Sequence, residues 1–70
     1  MSKKAVGNTI KERRKMLKIT QSQLAELAEV SINTLYKIER GQANPSLVTL
    51  EKIGDILGLT VVLQLKQTNP

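Results

Sequence analysis

Two short amphipathic segments separated by a very tight turn constrain the fold of this chain more than any other feature. Residues 21–28 and 32–40 each repeat apolar side chains at helical spacing. The break at Glu29 and Val30 leaves room only for a tight turn. Each segment follows a hydroxyl residue that can cap a helix, and the apolar residues that should lock the pair are Leu24, Ala28, Val30, Leu35 and Ile38. The sequence therefore predicts two helices held against each other in a helix-turn-helix.

Two further helices and a strand complete the expected fold. Apolar periodicity predicts helices over residues 4–17 and 46–57, the first capped by Ser2 or Asn8. After Gly58, apolar and polar residues alternate, which predicts a β-strand over residues 60–66. We expect one domain over residues 1–70, all-α with a C-terminal β-strand.

The composition excludes several classes of function. The 70 residues include no Cys and no His, so disulfides, zinc sites and Ser-His or Cys-His catalysis lack their central residues. No apolar run is long enough to cross a bilayer. We therefore expect a cytoplasmic binding module with no enzymatic activity, no cofactor, no metal and no membrane partner.

Positive charge is concentrated at one end of the chain. Residues 1–18 hold seven Lys or Arg and one Glu, whereas residues 19–70 hold four basic and five acidic side chains. A basic first helix on a nearly neutral body is typical of an electrostatic footprint on nucleic-acid phosphates. The same pattern also fits an ordinary solvated helix face.

The second helix of the pair leaves a set of polar and apolar side chains outside the predicted core. They are Ser31, Ile32, Asn33, Thr34, Tyr36 and Lys37, which include groups suited to base edges and phosphates. Tyr36 could instead be a core residue with its hydroxyl at the surface, but its spacing from Leu35 and Ile38 favours exposure.

Three stretches of the sequence resemble the Cro/C1-type (XRE) family of prokaryotic DNA-binding domains. They are the Ile19-Thr-Gln-Ser-Gln-Leu-Ala-Glu-Leu-Ala stretch, the Val30-Ser-Ile-Asn-Thr-Leu-Tyr-Lys-Ile-Glu-Arg-Gly stretch, and Asn44-Pro-Ser-Leu with Leu50-Glu-Lys-Ile. The resemblance covers about residues 6–59 and implies a lambda-repressor-like domain of four helices that binds double-stranded DNA.

The resemblance also implies a role for each matching residue. Gln21 would bind a DNA phosphate and brace the recognition helix. Ile32, Asn33 and Lys37 would contact bases, with Ser31, Thr34 and Tyr36 beside them, and Arg40, Gln42 and Asn44 would meet the backbone. Asn33 suits adenine, Lys37 suits guanine or a phosphate, and Ile32 offers only an apolar contact, most simply with a thymine methyl group.

Five positions concern structure or depart from the family pattern. The resemblance implies that Arg14 and Glu39 form a structural ion pair between the first and third helices. Family members often have glycine where this chain has Lys18 and Glu29, so a positive φ there would cost about 1 kcal/mol each. Ile32 stands where glutamine is more common, which leaves the base read there open.

A lone apolar strand requires a partner, and the same strand of a second subunit is the simplest one. Antiparallel pairing of residues 60–66 about a two-fold axis would give a homodimer with Val61, Val62, Leu63 and Leu65 at its interface. Two recognition helices would then read an inverted-repeat operator with half-sites about 34 Å apart, or a multiple of that. The alternative is that the segment lies back on its own helices as an irregular tail.

The strand placed directly after the fourth helix resembles that of the HipB-like antitoxins. That resemblance implies a repressor of its own operon that is associated with the nucleoid. It also implies that the protein binds a HipA-type kinase toxin. Two other functions stay open, namely a prophage Cro/C1-type repressor and a protein-interaction module that kept the fold without DNA binding.

Overall fold

Four α-helices joined by short loops make up the described part of the chain, residues 2–64 of a computed structural model. They are α1 (Lys3–Met16), α2 (Gln21–Ala28), α3 (Ile32–Glu39) and α4 (Leu47–Leu57). Each bound lies within one residue of the bound predicted from the sequence. The all-α, four-helix architecture is thus confirmed.

All four helices begin after a hydroxyl residue whose side chain accepts a hydrogen bond from a backbone N–H three residues later. The caps are Ser2, Thr20, Ser31 and Ser46, with N···O distances of 3.0–3.1 Å. At α2 the cap is reciprocal, because the Thr20 N–H also donates to Gln23 Oε1 at 2.8 Å. Ser2, rather than Asn8, therefore starts α1.

All four helices also end in the same way, with a left-handed residue that turns the chain away. These residues are Lys18 (φ 59°), Glu29 (φ 57°), Gly41 (φ 73°) and Gly58 (φ 72°). In each case the following N–H bonds back to a carbonyl five residues earlier, at 2.9–3.3 Å. Lys18 and Glu29, where family members often have glycine, both have a positive φ, so two of the four turns use a residue that favours this conformation poorly.

The core lies where α1 and α2 pack against α3 and α4. It is built from Ile10, Leu24, Ala25, Ala28, Leu35, Ile38, Ile53 and Leu57, all buried. Partly buried Val6, Val30 and Leu50 pack around it with other aliphatic side chains. The residues predicted to lock α2 onto α3 are therefore in the core or at its edge.

Several apolar residues that follow the helical period lie outside this core. Met16 exposes 70% of its surface, and Leu17, Leu27 and Leu47 are exposed as well. Met16 is the last residue of α1 and Leu17 is its C-cap. The periodicity thus marks one side of each helix correctly but overstates how far the core extends along it.

The predicted strand is not confirmed. Residues 60–64 are exposed and form no strand in the single chain described here, while residues 65–66 lie outside the described residues. An isolated extended segment has no partner for its backbone groups, so the pairing that would define a strand requires a second chain. Among the described residues, no helix is long and apolar enough to cross a membrane.

Candidate nucleic-acid interface

The turn between α2 and α3 sets the angle at which α3 stands on the body. Glu29 takes the left-handed conformation, and the Val30 N–H donates to the Ala25 carbonyl oxygen at 3.0 Å. Ala25 is itself buried in the core, because its small side chain is all that fits where the helices meet. The chain then enters α3 directly after the Ser31 cap.

Helix α3 has one buried side and one exposed side. Leu35, Ile38 and Glu39 are buried against the rest of the domain. The residues predicted to contact DNA from this helix are all exposed, and they are Ser31, Ile32, Asn33, Thr34, Tyr36, Lys37 and Arg40. The structure therefore leaves all of the predicted contact residues of α3 uncovered, and five of them, Ile32, Asn33, Tyr36, Lys37 and Arg40, share one exposed side of the helix.

Two hydroxyl groups at the start of α3 bond to each other. Ser31 Oγ accepts from the Thr34 N–H at 3.0 Å and lies 2.7 Å from Thr34 Oγ1. Either hydroxyl can donate in this contact, so one hydroxyl proton of the pair stays available to a ligand.

Tyr36 and Arg40 form a stacked pair one helical turn apart. The Arg40 guanidinium carbon lies 5.2 Å from the centre of the Tyr36 ring, within the range of a cation–π interaction. Both side chains remain exposed. The stack restrains the guanidinium at the end of α3 without using any of its N–H groups.

The loop after α3 begins with a defined turn. Gly41 is left-handed, and the Gln42 N–H donates to the Lys37 carbonyl oxygen at 2.9 Å. Gln42 and Asn44, both predicted to contact the DNA backbone, are exposed on this loop. They follow exposed Arg40 along the chain by two and four residues.

Arg14 and Glu39 form a two-point ion pair between α1 and α3. Arg14 Nε lies 2.7 Å from Glu39 Oε2, and Arg14 Nη2 lies 2.9 Å from Oε1. The side chains are only 11% and 2% exposed, respectively. The hydrogen bonds that Arg14 donates to Glu39 raise the pKa of Arg14 against the opposing effect of burial, so the guanidinium keeps its charge.

Gln21 joins this pair rather than standing alone at the start of α2. Its Nε2 donates to Glu39 Oε1 at 2.9 Å, and Arg14 Nη1 donates to the Ile19 carbonyl oxygen at 3.0 Å. One carboxylate thus connects α1, α2 and α3. Gln21 is half-buried, and it retains a second amide proton that the contact with Glu39 does not use.

Arg13 is not available to a ligand in the way the charge pattern suggested. Its Nε donates to the Leu57 carbonyl oxygen at 2.8 Å, so the guanidinium caps the C-terminal end of α4. Two of the seven basic side chains of residues 1–18, Arg13 and Arg14, are therefore engaged inside the domain. The lysines among those seven are exposed or half-buried.

Gly7 was not singled out by the sequence, yet it decides how closely α1 approaches α3. A methyl group at this position would overlap the Ile38 carbonyl oxygen and come within 3.0 Å of the Glu39 carbonyl oxygen. The close approach brings α1 near enough for Arg14 to reach Glu39. A glycine within an amphipathic helix is the only signal that could have indicated it.

The exposed side of α3 mixes amide, hydroxyl, aliphatic and cationic groups. Within the described residues, no group of three or more acidic side chains is placed to hold a metal ion. A helix with an uncovered, largely polar side is suited to enter a groove rather than to enclose a small molecule.

Comparison with known proteins gives one family match and several similar regulators. The helix-turn-helix family matches residues 10–63. An immunity repressor protein of Bacillus phage phi105 is 52% identical over 56 residues, which are 80% of this chain and 39% of that protein. An uncharacterized HTH-type transcriptional regulator of Methanothermobacter thermautotrophicus is 41% identical over 49 residues, 70% of this chain and 71% of that protein.

The fold matches a solved structure of a regulator. The restriction-modification controller protein C.AhdI from Aeromonas hydrophila superposes with a TM-score of 0.79 at 29% identity, covering 83% of this chain and 88% of that one. The chain spans well under half of the phage repressor, and 17% of a putative HTH-type regulatory protein of Methanococcus maripaludis that is 39% identical.

Proposed function

The chain belongs to the Cro/C1-type helix-turn-helix family, and from this premise we propose that it is a sequence-specific DNA-binding transcriptional repressor. In this proposal α3 enters the major groove and its exposed side chains contact base edges. The regulators that share its sequence and its fold support this proposal.

One observation carries the proposal furthest: the residues expected to face DNA are uncovered, while the residues that orient them are buried. Leu35 and Ile38 fix the inner side of α3 in the core. Glu39 ties the end of α3 to Arg14 and Gln21. A helix held this rigidly presents its outer face without rearrangement, which lowers the entropic cost of binding.

Asn33 and Lys37 are the principal candidates for reading sequence. An asparagine amide can accept and donate at once, and this matches the N6 and N7 edge of adenine. Lys37 lies one turn further along the same face and can reach guanine or a phosphate. Ile32, also exposed, would contact a thymine methyl group.

Phosphate contacts would position α3 in the groove. The side-chain amide of Gln21 donates one proton to Glu39, which leaves its second proton free to bind a phosphate. Arg40, Gln42 and Asn44 would meet the backbone beyond the end of α3, where all three are exposed. Such contacts set register and affinity but do not read the sequence.

A homodimer completes the proposal. Val61, Val62 and Leu63 are all exposed apolar residues, and the Leu63 side chain is completely uncovered. A run of this kind favours pairing with a second copy, which would bring two recognition helices onto an inverted repeat. Leu65, the fourth interface residue predicted, lies outside the described residues.

Among the more specific roles, a phage-type repressor has the stronger support. The immunity repressor of phage phi105 shares 52% of the aligned residues. The HipB-like resemblance rests on the segment after Leu59, for which no strand is described in residues 60–64. Autoregulation as an antitoxin stays a prediction. Binding of a HipA-type kinase also stays a prediction, to be tested by co-purification.

The test of the proposed function is a gel shift with the duplex upstream of the chain's own gene. We expect a discrete complex at low salt that a scrambled duplex of the same composition competes away poorly. No complex with either duplex would contradict the proposal and favour a protein-interaction module. Equal binding to both would support DNA binding but contradict sequence recognition.

A further inference from the structure

A second polar surface lies next to the recognition helix, where α1 begins and α3 ends. An open cavity of about 600 Å³ lies between these two helix ends. We call it the α1–α3 cleft, and its polar lining consists of Ser2, Lys4, Asn8, Lys11, Glu39 and Arg40. Gly41 allows the two sides of the cleft to lie close together, because a Cβ at that position would lie 2.9 Å from the Lys4 Cα atom.

The charges of the α1–α3 cleft are unbalanced. Lys4, Lys11 and Arg40 bring three cations to it, and among residues 2–64 none of them lies in an ion pair. The only carboxylate in the lining is Glu39, and both of its oxygens already accept hydrogen bonds from Arg14, with a third from Gln21. The cleft therefore presents uncompensated positive charge.

The helix that forms one side of the cleft adds to this field. The first turn of α1 carries no acidic side chain, and its positive dipole end lies beside Lys4. Arg40, on the other side, is restrained by its stack on Tyr36 of the recognition face. The cleft is thus continuous with the surface proposed to enter the groove.

We propose that the α1–α3 cleft receives the DNA sugar-phosphate backbone beside the groove occupied by α3. This inference rests on the proposed function and adds Lys4 and Lys11, with Asn8 between them, to its contacts. Lys4, Asn8 and Lys11 are spaced four and three residues apart, so they lie along one side of α1. Lys4 and Asn8 are exposed and Lys11 is half-buried, and an extended polyanion fits such an open row better than a single small anion, which solvent would screen there.

Part of the positive charge concentrated in residues 1–18 is thereby assigned to a defined surface, the α1–α3 cleft. Arg13 and Arg14 are used inside the domain, whereas Lys4 and Lys11 line the cleft. The contacts are with backbone phosphates, so they raise affinity for every duplex and leave the preference for one sequence unchanged.

The test measures DNA binding by the full chain against salt concentration, with a 20-base-pair duplex of random sequence. The variants are Lys4→Gln, Lys11→Gln and the double variant, and the matched control is Lys52→Gln on the exposed side of α4. We expect each cleft substitution to reduce the slope of log K against log salt by about 1 per bound protomer. Affinity at 0.1 M salt should fall roughly fivefold to tenfold for each, with the melting temperature unchanged.

The outcomes separate this inference from the proposed function. If the unaltered chain binds the duplex and the double variant keeps the slope of Lys52→Gln, the cleft assignment is overturned and the proposed function stands. If the unaltered chain binds no duplex even at low salt, both are overturned. Saturable binding of inorganic phosphate to the free chain, seen as shifts of the Lys4 and Lys11 amide resonances, would show a small-anion site instead.

Discussion

Arg14 on α1 and Glu39 on α3 are joined by two parallel hydrogen bonds of 2.7 and 2.9 Å in a largely buried part of the domain. Glu39 belongs to the buried side of α3, and Gln21 extends the pair to the start of α2. A single carboxylate therefore fixes the relative placement of three helices, which makes its stability contribution measurable.

Replacing Arg14 with Met should lower the free energy of unfolding by about 3 kcal/mol, because it leaves a buried carboxylate with only Gln21 as a partner. Removing both charges in Arg14→Met/Glu39→Leu should cost less than the sum of the single changes, with a coupling of about 1–3 kcal/mol. Urea unfolding of the four proteins measures this. Additive costs would show that the two side chains do not stabilise each other.

Glu29→Gly should stabilise the chain by about 1 kcal/mol, because Glu29 holds a left-handed φ of 57° that glycine adopts without strain. The matched control is Glu26→Gly within α2, the helix that ends directly before Glu29. This substitution should destabilise the chain by about 1 kcal/mol. Thermal unfolding compares the two. A loss of stability in Glu29→Gly would mean that the glutamate side chain contributes more than its backbone strain costs.

Gly7→Ala should destabilise the domain by about 1–3 kcal/mol, because the new methyl group overlaps the Ile38 carbonyl oxygen and forces α1 away from α3. Glu12→Ala, an exposed position on the same helix, should change stability by less than about 0.5 kcal/mol. Chemical denaturation distinguishes the two. Equal stability of both variants would contradict the close approach of these helices.

Tyr36→Leu should weaken binding to all duplexes about threefold, because Arg40 loses the ring that restrains its guanidinium. Tyr36→Phe keeps the ring and should retain the affinity of the unaltered chain. Fluorescence anisotropy with labelled duplexes gives both values. If Tyr36→Phe binds as weakly as Tyr36→Leu, the hydroxyl group rather than the stack makes the contribution.

Local sequence rules predicted most of the fold because the signals lie within a few residues of each other. Ser31 and Ser46 cap helices, and Gly41 ends one, through contacts that span at most five residues. The inward side of α3 followed from the spacing of Leu35 and Ile38. Even the strained turn at Glu29 could be foreseen, since the family pattern has glycine there.

What the sequence could not predict depends on distant partners. Arg13 reads as one more surface cation until α4 places the Leu57 carbonyl oxygen beside it. Gly7 matters only because α3 passes close to it, and Gln21 meets Glu39 across 18 residues of sequence. The exposure of Met16 likewise could not be predicted from its place in the helical period. The strand over residues 60–66 stays a prediction, since its partner would be another chain.

The most direct test of the recognition helix starts from a duplex selected by the chain out of a random-sequence pool. Binding of this duplex and of a scrambled one is then compared for the unaltered chain and Asn33→Ala. We expect Asn33→Ala to lose about 1–3 kcal/mol on the selected duplex, to tolerate other bases at one position, and to bind the scrambled duplex as before. Equal weakening on both duplexes, or no loss on either, would contradict the account of α3 as the element that reads DNA sequence.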